Sequence, residues 1–147
     1  MTRPFRALRL LAGALLAGSL LVPVTASAAP DEAVLLGFVR DWAAAWEAQE
    51  LDDYLALYAD DARVGRRDRA AHAAHKAQVF ARGESIAVRL GDVELGEGSL
   101  GGESLVRLTM RQDYSSPSLS DFGRKELLLR STPNGLRIVR ESWMASS

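Results

Sequence analysis

At Gly83 the apolar residues of this chain change period, and few folds accommodate the change. Before it, Leu35, Phe38, Val39, Trp42 and Trp46 recur at spacings of three and four. That is the stripe of an amphipathic helix running to about Ala48. After it, Ile86, Val88 and Leu90 alternate, and so do Val106, Leu108, Met110, Gln112 and Tyr114. A period of two belongs to strands with one face covered. Helices first and strands afterwards predict an α+β domain: an antiparallel meander packed on helices.

The punctuation supports that division. Pro30-Asp31-Glu32 opens the first helix with acids at the positive end of its dipole. The chain breaks at Gln49-Glu50-Leu51. Asp52 is then placed to cap a short second helix whose stripe is Leu51, Tyr54, Leu55 and Tyr58, ended by Asp60-Asp61. A third helix is read within 64–81 and ended by Gly83: a basic run of Arg66, Arg67 and Arg69 precedes an Ala-rich stretch through His72, His75, Lys76 and Val79, with His72 and His75 on a solvated, weakly basic face. The glycines at 96, 98, 101 and 102 read as a flexible hairpin loop, and 115–120, with Pro117, as a second loop. Lys125, Leu127 and Leu129 give a third strand, Pro133-Asn134-Gly135 a tight turn, and 136–143 a fourth strand.

The first 28 residues follow a different logic. Arg3, Arg6 and Arg9 precede an apolar run over 10–24, and Ala26-Ser27-Ala28 supplies the small-residue site of a cleavable secretory signal. The run is interrupted by Pro23 and falls short of the roughly 20 apolar residues of a membrane span. Cleavage after Ala28 leaves a single domain over residues 29–147, placed in the periplasm or outside the cell. Three of the 18 basic residues and none of the 19 acids lie in the leader, so the remainder carries four net negative charges. That balance gives no electrostatic reason to bind nucleic acid or an anionic membrane. With no cysteine, neither a disulfide framework nor a lipid anchor on an N-terminal cysteine is open to the chain, and a packed core must hold it.

Several strings taken in order resemble the NTF2-like superfamily: Trp42-Ala-Ala-Ala-Trp46, then 53–61 (Asp-Tyr-Leu-Ala-Leu-Tyr-Ala-Asp-Asp), then 136–143 (Leu-Arg-Ile-Val-Arg-Glu-Ser-Trp). Within it the chain is most similar to SnoaL-like and DUF4440-like domains. Arg111-Gln112-Asp113-Tyr114-Ser115 and Asp121-Phe122-Gly123-Arg124-Lys125 resemble the NTF2-like domain appended to bacterial L,D-transpeptidase-related envelope proteins. The resemblance implies a cone: a strongly curved sheet wrapped around three helices and enclosing a pocket. It does not fix an activity, because such cones serve isomerases, dehydratases, cyclases and plain binding modules alike.

The site has therefore to be read residue by residue. The string 58–64 resembles the segment before the catalytic base of ketosteroid isomerases, but Arg66 stands where that base would be. A guanidinium cannot abstract a proton. Trp42 stands where the same family places its oxyanion tyrosine. His72 and His75 are spaced to share a helix face, yet two histidines make an incomplete zinc set, and no metal is expected. The glycines of 96–102 lack the strand-to-helix context and the Lys-Ser/Thr of a phosphate loop, and no cofactor is expected. There remain the aromatics Trp42, Trp46, Tyr54, Tyr58 and Tyr114, whose polar tips converge near Gln112 and Lys125 at the mouth of a cone. An amphipathic pocket of that kind suits a small, partly apolar ligand. Glu141 joins this set, although alternation along its strand turns it away from Ile138. Either Glu141 or Arg140, whichever points inward, is the pocket's strongest charge.

The leading expectation is an exported, non-catalytic module that binds a small ligand or an envelope protein. A small acid/base enzyme using Asp60, Glu141 or Tyr58 stands against it. So does a dimerisation module using Arg107, Thr109 and Arg111 on the sheet's polar face.

Overall fold

The computed structural model describes Gly18 and residues 29–147. The leader read over residues 1–28 therefore lies, Gly18 apart, outside the described residues. Helices α1 (Glu32–Ala48) and α2 (Leu51–Ala56) come first, then strands β1 (Tyr58–Val64) and β2 (Arg67–Asp68), and helix α3 (Arg69–Ala81). Four long strands follow: β3 (Ala87–Leu100), β4 (Glu103–Ser116), β5 (Leu119–Thr132) and β6 (Gly135–Ala145). All six strands form one curved sheet in the order β2-β1-β6-β5-β4-β3. Its neighbours are antiparallel except β1 and β6, which run parallel.

The stripe of α1 is its buried face: Leu35, Phe38, Val39, Trp42 and Trp46. The helix stops where Gln49 turns left-handed (φ 57°), with the Gln49 and Glu50 N–H groups closing on Trp46 O and Ala45 O. At α3, Asp68 Oδ1 accepts the Ala71 N–H at 2.8 Å, a side-chain N-cap. The helices lie in the hollow of the sheet, and the core there joins α1 and α2 to Leu108, Met110, Leu127, Leu129 and Ile138. Each large apolar side chain fully buried in this way contributes roughly 1.5–3 kcal/mol. A smaller cluster of Ala59, Leu105, Leu128 and Val139 lies apart from it.

Four features depart from the sequence reading. Tyr58 does not close the second helix; α2 ends at Ala56 and Tyr58 opens β1, a strand that alternation did not reveal. Nor does Asp52 cap α2, which begins one residue earlier at Leu51. The glycine-rich segment is strand rather than loop: β3 continues to Leu100, and only Gly101 and Gly102, both at positive φ, make the turn. The second loop shrinks to Pro117-Ser118, since β4 runs to Ser116 and β5 starts at Leu119.

A fifth departure decides the site. On β6, Ile138 pairs with Leu129 and Arg140 pairs with Leu128, so Val139 is an extra residue in the ladder. This bulge breaks the alternation. Val139 packs into the smaller cluster, Arg140 is exposed, and Glu141 is buried in the same interior as Ile138. The expectation that Glu141 turns away from Ile138 is thus corrected.

Candidate functional site

The interior of the cone contains a continuous polar network. Trp42 Nε1–H donates to Tyr58 Oη at 2.9 Å, and Tyr58 O–H donates to Glu141 Oε1 at 2.5 Å. Lys125 Nζ donates to the other oxygen, Glu141 Oε2, at 2.7 Å. The Tyr54 and Tyr58 hydroxyls are 2.7 Å apart, and Tyr54 Oη is 2.9 Å from His72 Nε2. Trp42, Tyr54, Tyr58, His72, Lys125 and Glu141 are all buried. Low dielectric makes such a network strong when complete and costly when broken.

A count of protons orients it. Burial alone pushes the Glu141 carboxyl up. The Lys125 ammonium and the hydrogen bonds from Lys125 and Tyr58 outweigh burial and hold it below its ordinary value. Glu141 is therefore a carboxylate, and the single proton of Tyr58 goes to it. The bond between the hydroxyls must then be donated by Tyr54, whose oxygen accepts from His72 Nε2–H. Burial, with smaller contributions from Lys76, His75 and Lys125, lowers the His72 pKa to about 4 against the pull of Glu141. His72 is neutral, so its Nδ1 is a bare acceptor, and it has no partner among the described residues. Burial, reinforced by the Glu141 charge, raises both tyrosines well above their ordinary range.

Beside this network lies a cavity of about 550 Å³. Trp46, Gln112, Tyr114, Lys125 and Glu141 line it, together with His72 and Lys76 of α3. The Trp46 and Tyr114 rings stack with centroids 5.4 Å apart and planes 28° apart, forming an aromatic wall. Lys76 Nζ sits 3.9 Å from the Trp46 ring centroid. Burial, with Lys125 and Arg67 adding to it, lowers the Lys76 pKa to about 8 in spite of Glu141.

The expected site residues thus divide in two. Trp46, Gln112, Tyr114, Lys125 and Glu141 border the cavity, whereas Trp42, Tyr54 and Tyr58 lie behind them, their tips bonded within the network rather than gathered at the mouth. The solvated face expected at His72 and His75 is corrected at His72, which is buried at 2% exposed; Lys76, one turn on, is buried as well at 8%. The signal was available in the spacing, since His72, Lys76 and Val79 fall at i, i+4 and i+7 on the face that α3 turns to the cone. Asp60 is exposed and does not border the cavity. Arg66 is exposed just beyond β1. No group of three or more metal-ligating side chains comes together among the described residues. Arg107 and Arg111 pair with Glu126 and Asp92 on neighbouring strands at 3.9 and 3.6 Å, and Thr109 Oγ1 bonds Glu94 at 3.4 Å. No helix among the described residues is long and apolar enough to cross a membrane.

The family model for the Cds6 C-terminal NTF2-like domain matches residues 34–142. In three dimensions the chain is similar to Bd1075 of Bdellovibrio bacteriovorus (23% identity, TM-score 0.69, covering 77% of this chain and 40% of that one). It is similar to a variant of the helical cell shape determining protein Pgp2 of Campylobacter jejuni (21%, 0.67, 74% and 39%). A third likeness is to the beta subunit of benzoate 1,2-dioxygenase from Burkholderia mallei (14%, 0.63, 81% and 93%). At these identities the likeness is one of fold. The chain spans about two-fifths of the length of Bd1075 and of Pgp2. No curated protein matches it in sequence.

Proposed function

The chain belongs to the family of Cds6 C-terminal NTF2-like domains, and we propose that it acts as an exported module whose cone binds a small amphipathic ligand without transforming it. One observation carries the reading: the buried carboxylate that borders the cavity, Glu141, is engaged on both oxygens while the cavity beside it stays open. Glu141 is held by Lys125 and Tyr58, and His72 Nε2 by Tyr54. A general base needs a free lone pair within reach of the substrate and a pKa near the working pH. Glu141 is held below its ordinary value instead. The cavity itself combines the Trp46–Tyr114 wall with a few convergent polar groups, the usual make-up of a ligand site.

Export rests on the sequence: the three arginines, the apolar run and Ala26-Ser27-Ala28. A role beside the cell envelope is drawn from the likeness to a cell shape determining protein. Native mass spectrometry of protein purified from its own host tests both halves. The reading expects a chain beginning at or within a residue or two of Ala29, carrying a small molecule released on denaturation. A soluble chain retaining Met1 overturns export. Turnover of an enone or a dehydratable alcohol well above the solvent rate overturns the non-catalytic half.

A further inference from the structure

We propose that the ligand of the cone is a monocarboxylate with an apolar body, its carboxylate seated on Lys76 and its body against the Trp46–Tyr114 wall. The inference rests on the binding reading above and names the ligand class. Lys76 is 8% exposed, yet no carboxylate or other acceptor bonds its ammonium among the described residues. Its neighbour on the cavity wall, Lys125, is paired with Glu141 at 2.7 Å. The contrast matters, because an ammonium taken out of water needs either a counter-ion or a lowered pKa. The Trp46 ring face beneath it supplies only part of what water gave.

The remaining carboxylates near the cavity do not serve as that counter-ion. Glu84 accepts from Ser118 Oγ at 2.6 Å, and Asp121 from the Phe122 N–H at 3.0 Å. They also limit the charge of the guest. Arg67, Lys76, Arg82 and Lys125 border the cavity together with Glu84, Asp121 and Glu141, a surplus of one positive charge, which a dianion such as a phosphate monoester exceeds. A single negative charge matches. Three further atoms of cavity-lining residues have no partner among the described residues: the Trp46 indole N–H, which can donate to a carboxylate, and the acceptors His72 Nδ1 and Gln112 Oε1, which cannot.

The test uses two probes of one shape, 3-phenylpropanoate and 3-phenylpropanamide, with inorganic phosphate as a third arm. Binding is followed by NMR shifts of the Trp46, Lys76, Gln112 and Tyr114 amides and the indole N–H groups. The carboxylate is expected to saturate these shifts at millimolar concentration and to bind about ten- to a hundredfold more tightly than the amide, the range of one charged hydrogen bond. Lys76→Met should abolish that preference while leaving the amide's affinity in place, and Lys76→Arg should restore it. Equal affinity of the two probes in the wild type, which needs no variant to fold, overturns the carboxylate inference and leaves the binding reading standing. So does phosphate competing better than the carboxylate. No shift in the cone with either organic probe overturns both.

Discussion

Lys125 Nζ and Glu141 Oε2 lie 2.7 Å apart, with side chains only 5% and 6% exposed. They sit opposite neighbouring positions of the ladder, since Lys125 pairs with Trp143 and Leu127 with Glu141. The bulge at Val139 brings the carboxylate to the inner face, and Tyr58 from β1 takes its second oxygen. A buried pair of this kind is costly to break on one side, because the other charge is left without a partner. Lys125→Met is expected to destabilise the domain by about 3–5 kcal/mol in urea unfolding. Adding Glu141→Gln should recover part of that loss. A single-variant loss below about 1 kcal/mol, the range of an exposed pair, would contradict the pairing.

Tyr58 is the branch point of the network. Its hydroxyl accepts from Trp42 and Tyr54 and donates to Glu141. Tyr58→Phe keeps the ring and removes all three bonds, leaving the Trp42 N–H, the Tyr54 O–H and one carboxylate oxygen unsatisfied. The expected loss is about 1–3 kcal/mol for each buried group so orphaned. Thermal unfolding measures it, and an unchanged midpoint would show that water replaces the hydroxyl.

The fold was legible in the sequence wherever one period runs through a whole element. The α1 stripe and the β4 alternation gave their buried faces directly, because a single period holds throughout each element. Gln112 and Lys125 could be placed in the interior for that reason. Glu141 could not, since a bulge inserts one residue and reverses the parity of everything beyond it. Tyr58 was misassigned because i, i+4 from Tyr54 is a helical spacing, although the chain turns at Leu57 into a strand. His72 and Lys76 were missed for a chemical reason: polar residues on a helix's inner face look like its outer face until their partners are known. Tyr54 is distant from His72 in sequence, and the empty side of Lys76 is a cavity.

Buried His72 gives the domain an acid-sensitive element. Its folded pKa is about 4 against an ordinary value of 6.5. Between those values the unfolded chain binds a proton that the folded chain refuses. Stability therefore rises with pH across this window and falls as pH drops from about 6.5 toward 4. The full contribution is about 3 kcal/mol. His75, held low by burial and by Arg67, adds a slope of the same sign. Glu141 contributes only below its ordinary value of 4.5, since its pKa is lowered. Urea midpoints for wild type and His72→Gln between pH 4.5 and 7 isolate the effect. The variant should show the flatter profile, and identical profiles would place His72 in contact with water.

The protonation of Glu141 separates a binding cone from a catalytic one. A carboxyl poised for acid/base work is raised toward neutral pH by its surroundings. Lys125 and Tyr58 hold this one the other way. The direct measurement is the side-chain carboxyl ¹³C shift of Glu141, followed by NMR from pH 8 downward in uniformly labelled protein. The account predicts a flat shift through neutral pH, with titration only below 4.5, the group's ordinary value. A midpoint above about 6, where catalytic carboxyls operate, would mean a poised acid in the cone and would contradict the account.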